Sequence, residues 1–338
     1  MIPIKNLYFL LCYSWSRLDE GSLVNISSDQ ITTPPDLLAK VLINGINRLL
    51  KDGIDRGYIT ELQESSSLKG KIDFGVSLSK LLFQQAKAAT YVDDLSVDIL
   101  HNQILKTTIL NLHKNAKLNI ELRSELKKIL TSLRDVSVIG LNASIFKRVQ
   151  IYQNNSFYSF LMNVCELIYV NLLPDEKTGD WKFKDFTRDE RKMHKVFQDF
   201  AFNFYRINQN KYAVKSEKLN YQALALDDSL DLLPNMYTDV TLESDDEKII
   251  LDTKYYQEAF QSNWGKRSFR SEHLFQLNTY LDYSESSYKK PSGILLYPAT
   301  NEEFTHDFDT PRHHFKIAAV DLRKNPEDIA KRMLDILN

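Results

Sequence analysis

The stretch IILDTKYY, residues 249–256, constrains this chain more than any other, because it spells a core β-strand and then sets an acid and a base inside it. Ile249, Ile250, Leu251, Tyr255 and Tyr256 are strand formers that suit a pleated, buried surface. A carboxylate at Asp252 is costly there unless it is paired or meets a metal. A second acid, Asp239, lies upstream, beyond the turn-prone run SDDE at 244–247. A hairpin over 237–256 with Asp245 and Asp246 at its tip pairs Glu243 with Lys248 and sets Asp239 opposite Asp252. Opposed residues share a face, with Cβ atoms roughly 4.5–5.5 Å apart. Lys254, two residues beyond Asp252, projects from that face too.

Two like charges held opposite one another are destabilising, and a divalent cation between them reverses the sign. Hard carboxylate oxygens suit Mg²⁺ or Mn²⁺, which keep several waters and bind substrate phosphate as well. The chemistry this permits is phosphodiester hydrolysis, with the lysine orienting water or offsetting developing charge. The bland alternative is a solvated strand face, since acid-x-Lys is common on exposed strands. The apolar run before Asp252, the spacer 240–251 and the register weigh against it.

The composition fits a two-domain soluble protein: 338 residues, 43% hydrophobic and 26% charged. No run approaches the roughly 18 apolar residues of a membrane span. The opening segment, IPIKNLYFLLCYSW, reads as an amphipathic helix rather than a signal peptide, because it lacks a small-residue cleavage site. Cys12 and Cys165 sit in apolar contexts, as expected of reduced thiols in a cytoplasmic protein, and two cysteines are too few for a cysteine zinc site. A net charge of -2 argues against holding nucleic acid by bulk charge, though not against a local basic patch or a partner that does the holding. No Gly-rich loop followed by Lys-Ser/Thr occurs, so nucleotide hydrolysis is not expected of this chain.

The first half is helix-rich, an α+β pattern. PPDLLAKVLINGINRLLKDG at 34–53 starts with prolines and ends in glycine, as a helix does. Residues 57–74 read as strand, turn, strand; 97–116 and 121–136 resume the helical period. A boundary is expected in LLPDEKTGDWKF at 172–183, which separates an N-terminal domain, 1–174, from a C-terminal domain, 175–338. The second half opens with a long amphipathic helix, RDERKMHKVFQDFAFNFYRIN. Strand-like stretches follow at 221–226, 236–243 and 248–256, then a helix near 270–286, a strand in GILLYPA, a strand near HHFKIAAVDL and a closing helix. That order predicts an α/β domain with helices on a central sheet. There is no internal repeat and no low-complexity tract.

Asp239, a spacer, then Asp252-Thr253-Lys254 resembles the pattern of the PD-(D/E)XK nuclease superfamily. Gln276 and Tyr280, on one face of the downstream helix, match the Gln and Tyr of its RecB-like members. The whole chain is similar to the McrC family of the 5-methylcytosine restriction system, through IPIKNLYFLLCYSW, LKGKIDF at 68–74, DDLSVDILHNQILKTTIL at 93–110 and the nuclease core. The resemblance implies a restriction-endonuclease-like core with a central mixed sheet flanked by helices. It implies Asp239, Asp252, Lys254, Gln276 and Tyr280 as catalytic residues and Mg²⁺, with Mn²⁺ possible, held at Asp239, Asp252 and Thr253. It also implies an N-terminal domain that engages McrB, a hexameric GTP-hydrolysing AAA+ motor which carries recognition of modified double-stranded DNA. Two positions depart from the family pattern: Gln198 stands where a third acid is expected, with Asp199 beside it, and Lys69 and Lys71 stand where an Arg is expected.

The segment 254–270 carries Lys254, Lys266, Arg267 and Arg270 against Glu258, a net of +3 (four cations less one acid), interleaved with aromatics that include Trp264. Such a loop suits phosphates beside a metal, or is a solvated loop. His313 and His314 are adjacent on a strand and so face opposite ways, which argues against a metal pair. Two other functions stay open at this stage: a non-catalytic activator of the motor, and a stand-alone nuclease of structured or damaged DNA.

Overall fold

The computed structural model describes residues 2–23, 31–67, 69–151, 155–174, 181–221, 232–256, 260–263, 266–284 and 291–338. Its contacts divide the chain into two compact units, Leu23–Lys184, and Asp185–Asn338 together with the residues up to Ser22. The division falls ten residues after the expected boundary at 174/175, and the first helix lies with the C-terminal half instead of the N-terminal domain. Helix α1 (Ile4–Ser14) buries Leu10 and Tyr13 in the core that also takes Phe200 and Phe204. Asn6 donates its amide to the carbonyls of Leu322 and Lys324, at 2.6 Å each. An apolar stripe buries wherever a complementary face lies, whatever its place in the chain.

The unit Leu23–Lys184 is built on α2 (Pro34–Asp52), α4 (Leu100–His113), α5 (Ile120–Ser132) and α7 (Ser156–Tyr169), with short α3 (Phe74–Ser79) and α6 (Ala143–Arg148). Thr33 and Asp36 form a capping box at the start of α2. Leu37, Leu42, Ile46, Ile104, Ile109, Leu126 and Leu161 are buried among these helices. Beside them a sheet of order β1-β3-β2 is made by β1 (Gly57–Ser65), β2 (Lys71–Ile72) and β3 (Ala88–Ser96). The hairpin of β4 (Leu172–Pro174) and β5 (Trp181–Phe183) closes the unit, and 175–180 lie outside the described residues. Neither β3 nor α7 was expected from the sequence.

The other unit continues from α1 with α8 (Glu190–Asn208), β6 (Ala213–Lys215), β7 (Lys218–Leu219), β8 (Met236–Tyr237), β9 (Val240–Glu243) and β10 (Lys248–Thr253). It goes on through β11 (Phe260–Asn263), β12 (Lys266–Phe269), α9 (Ser271–Tyr283), β13 (Ser292–Pro298), β14 (Thr305–Asp309), β15 (His314–Val320) and α10 (Pro326–Asp335). Six strands form one mixed sheet, ordered β14-β15-β13-β10-β9-β6, with β10, β13 and β15 parallel. Side chains alternate across it: Ile249, Leu251, Ile294 and Leu296 face α1, α8 and α10, while Ile250, Leu295 and Tyr297 face α9. This is the expected α/β core, helices on both faces of a central mixed sheet. Of the stretch expected as strand at 221–226, residues 222–226 lie outside the described residues.

Gly293 lets α9 settle on that sheet. A Cβ there would come within 2.9 Å of the Leu277 side chain, so a bare backbone on β13 sets how close α9 lies. Among the described residues no helix is long and apolar enough to cross a membrane.

Candidate active site

β9 and β10 pair in the expected register, with Glu243 opposite Lys248 and Val240 opposite Leu251. The turn closes through the Ser244 amide and the Glu247 carbonyl at 2.9 Å. The ladder stops at Val240, one residue short of Asp239. Beyond it the Thr253 N–H has no strand carbonyl to meet, and a buried amide needs an acceptor. Asp239 supplies one: its Oδ2 accepts from the Thr253 N–H at 2.8 Å and from the Thr253 hydroxyl at 2.7 Å. Its Oδ1 accepts from the Gln198 amide on α8 at 2.8 Å. Asp239 thus reaches around the end of the sheet rather than staying on the face of Asp252.

Asp252 and Lys254 lie on the α9 side, as the alternation requires. Lys254 Nζ sits 2.7 Å from Asp252 Oδ2 and donates to Gln276 Oε1 at 2.9 Å. Gln276 in turn donates its amide to the Tyr280 hydroxyl at 2.7 Å, which turns the oxygen end of that amide toward the lysine. Asp252, Lys254, Gln276 and Tyr280 therefore form one chain of contacts. Asp252 is fully buried, and neither of its oxygens accepts a well-aimed hydrogen bond from the described residues. Burial pushes its carboxyl up to about 7, with Lys254 opposing the rise and Asp239 adding to it.

Asp199 turns to Lys195 at 2.8 Å, and its carboxyl is raised by burial, with the Asp239 charge adding to the rise. His194, one turn before Gln198, was not singled out in the sequence. Its Nδ1 accepts from the Tyr255 N–H at 3.4 Å, so its proton rides on Nε2. Burial lowers its pKa and keeps the ring neutral, against the pull of Asp239. The His194–Gln198 spacing of four on an amphipathic helix was the signal available. His313 and His314 go to different acids, Asp282 and Asp307. In the basic loop, Trp264 lies outside the described residues, while the β11–β12 backbone forms a hairpin.

The donor set fits a hard cation. Asp252 is buried with Lys254 as its counter-charge on Oδ2, while its Oδ1 is left without a hydrogen-bond partner among the described residues, and two carboxylates suit Mg²⁺ or Mn²⁺. Among the described residues no three His, Cys, Asp or Glu side chains gather around one metal position, so water and substrate oxygens would complete the shell.

A mixed sheet whose antiparallel hairpin presents two acids and a lysine at its end, with a Gln–Tyr pair from the covering helix, defines the PD-(D/E)XK, restriction-endonuclease-like class. Residues 5–298 match the family model described as McrBC 5-methylcytosine restriction system component, and the chain belongs to that family. It is similar to the type IV methyl-directed restriction enzyme EcoKMcrBC of Escherichia coli K12, at 29% identity over 340 residues, covering 100% of this chain and 98% of the relative. Its fold is similar to that of a chain in the half-complex of Thermococcus gammatolerans McrB AAA+ hexamers with bound McrC. That likeness has a TM-score of 0.63 at 16% identity and covers 99% of this chain and 75% of the other.

Proposed function

We propose that this chain is the DNA-cleaving subunit of a methyl-directed restriction system, a divalent-metal-dependent endonuclease that works with a GTP-hydrolysing AAA+ hexamer of the McrB kind. The observation that carries the reading is the buried Asp252, ion-paired with Lys254 at 2.7 Å and with its Oδ1 unpartnered among the described residues, one strand from Asp239. Asp239 and Asp252 would hold the cation, with the main-chain carbonyl of Thr253. A bound cation supplies Lewis acidity at a phosphoryl oxygen and counters the two acids.

The protein's own residues do the rest by position. Gln276 and Tyr280 hold the Lys254 ammonium in place, so that its remaining N–H orients the attacking water or meets charge developing on the phosphate. Thr253 and Gln198 fix the Asp239 carboxylate. The apolar shell of Ile250, Leu277 and Leu295 keeps bulk water from Asp252 and strengthens each of these interactions.

The motor-binding role falls to Leu23–Lys184, where no acids converge among the described residues. Two cross-strand pairs of the β1–β3 ladder, Tyr58 with Leu95 and Leu62 with Tyr91, leave all four side chains exposed. Phe74, Leu78 and Leu81 nearby in sequence are exposed as well. The Thr60–Asp93 pair lies between the two apolar pairs on the same face, and exposed apolar side chains with a polar surround suit a protein partner. The relatives bearing on this choice are a McrC bound to McrB hexamers and a methyl-directed restriction enzyme.

The test is cleavage of methylated duplex DNA by the full chain with its GTPase partner and Mg²⁺. Activity that needs the metal and vanishes in a folded Lys254→Ala variant is expected. Wild-type cleavage by that variant would overturn the site.

A further inference from the structure

We propose that a cleft beside the active site receives one unpaired nucleotide of the DNA that the chain cleaves; the proposal rests on the nuclease reading above. The cleft has a volume of about 390 Å³, within the range of small-ligand pockets. One wall comes from the carboxyl ends of three parallel strands: Tyr255 and Tyr256 follow β10, Thr300 follows β13 and Arg323 follows β15. The facing wall is the start of α8, with Arg188 and Glu190. In open α/β sheets, ligands bind in the crevice outside the carboxyl ends of the strands. With strands spaced by roughly 4.8 Å, the cleft begins one residue past Lys254 and extends about 10 Å across the sheet edge.

Its lining selects the chemistry. Tyr256 is a fixed wall, its ring 4.9 Å from His273 and 5.1 Å from the Arg270 guanidinium. Tyr255 is braced by the edge of Phe197. Such surfaces take the flat face of a base. At the mouth, Arg323 is held in a fork by Asp321, with contacts of 2.7 and 2.8 Å, and bonds the Asn301 carbonyl at 2.8 Å. Arg188 lies 3.5 Å from Asp185. Rim guanidiniums already posed suit a phosphate. A site for phosphate alone would exclude carboxylates, yet Glu190 stands in the lining with Tyr255. A carboxylate in the lining suits the exocyclic amino group of cytosine or adenine, which thymine lacks. Base, amino group and phosphate together make a nucleotide. Paired bases cannot enter, so the nucleotide is unstacked from the duplex or drawn from a single strand.

The test uses the full wild-type chain without metal, so that binding is read apart from cleavage. Fluorescence anisotropy compares single-stranded oligodeoxycytidylate with oligothymidylate of equal length. The cytidylate should bind more tightly. Thr300→Trp, at an exposed position, fills the cleft and should weaken cytidylate binding about tenfold, the loss of one base stack. Glu190→Gln, also exposed, should leave thymidylate binding unchanged and erase the preference; it decides the matter if the tryptophan variant does not fold. Wild-type affinities and preference in a folded Thr300→Trp, or an unaltered preference in Glu190→Gln, overturn the proposal. So does free deoxycytidine monophosphate binding as tightly as the oligonucleotide, which would make the cleft a free-nucleotide site. Metal-dependent cleavage of duplex DNA by the wild-type chain with its partner is assayed separately, so a failed nuclease and a failed cleft give different results.

Discussion

Gln198 donates its side-chain amide to Asp239 Oδ1 at 2.8 Å, from the helical position where the nuclease pattern leads one to look for a third acid. A donor there fixes the carboxylate that an acid would repel. Gln198→Ala should lower metal affinity or cleavage by roughly tenfold to a hundredfold, as loss of a bond that orients a metal ligand does. Gln198→Glu adds a third hard ligand and should move half-saturation to lower Mg²⁺. Titrating cleavage with Mg²⁺ measures both, and identical curves for the two variants and the wild type would make Gln198 a bystander.

Lys254 bridges Asp252 and Gln276, so Lys254→Ala and Gln276→Ala probe one unit. Lys254→Ala should abolish cleavage. Gln276→Ala, which leaves the ammonium present but unheld, should cost less, and the double variant should be no worse than Lys254→Ala alone. Rates with partner and Mg²⁺ supplied check this; additive losses would separate the two residues.

Metal should stabilise the folded chain through the same acids. A ligand that binds only the native state raises its melting temperature. Adding Mg²⁺ to chelator-treated protein should raise the wild-type melting temperature and leave that of Asp252→Asn unmoved. An equal rise in both would place the cation elsewhere.

His273 gives a pH dependence with a defined sign. Its ring is buried, with Nδ1 2.7 Å from the Tyr297 hydroxyl; burial first, then the Lys254 charge, lowers its pKa to about 4. The unfolded chain takes up a proton near the ordinary 6.5 while the folded chain does not. The unfolded state therefore binds more protons between these values, and stability falls as pH drops from 6.5 toward 4. His273→Gln should flatten the melting temperature across that window; an unchanged slope would assign the loss to other groups.

The exposed ladder face should be where the motor is engaged. Leu95→Asp, at an exposed position, should leave the fold intact and remove stimulation of GTP turnover. A fragment spanning Leu23–Lys184 should retain that stimulation without any nuclease. A fragment ending near Pro174 but keeping α1 would expose Leu10 and Tyr13, which need Phe200 and Phe204 to cover them. The full chain should cut duplex DNA poorly without its motor, since a net charge of -2 supplies little non-specific hold. Efficient partner-free digestion at physiological salt would contradict this.

The sequence by itself determined the hairpin, its register and the face shared by Asp252 and Lys254, because alternation and turn residues act over a few positions along one chain. Gln276 and Tyr280 were marked by the resemblance to RecB-like nucleases, their spacing showing only that they share one helical face. Tertiary structure alone decided which partners those side chains meet. Lys248 lies at the start of the same strand, is as buried as Lys254, and pairs with Glu217 at 2.9 Å; nothing local separates the two lysines. Asp239 leaves its expected face because the ladder ends and an unpaired Thr253 amide needs an acceptor, a fact about where strands stop. Helix α1 joined the C-terminal unit because an apolar stripe carries no address, and only the shape of the opposing core, some 190 residues along the chain, completes it.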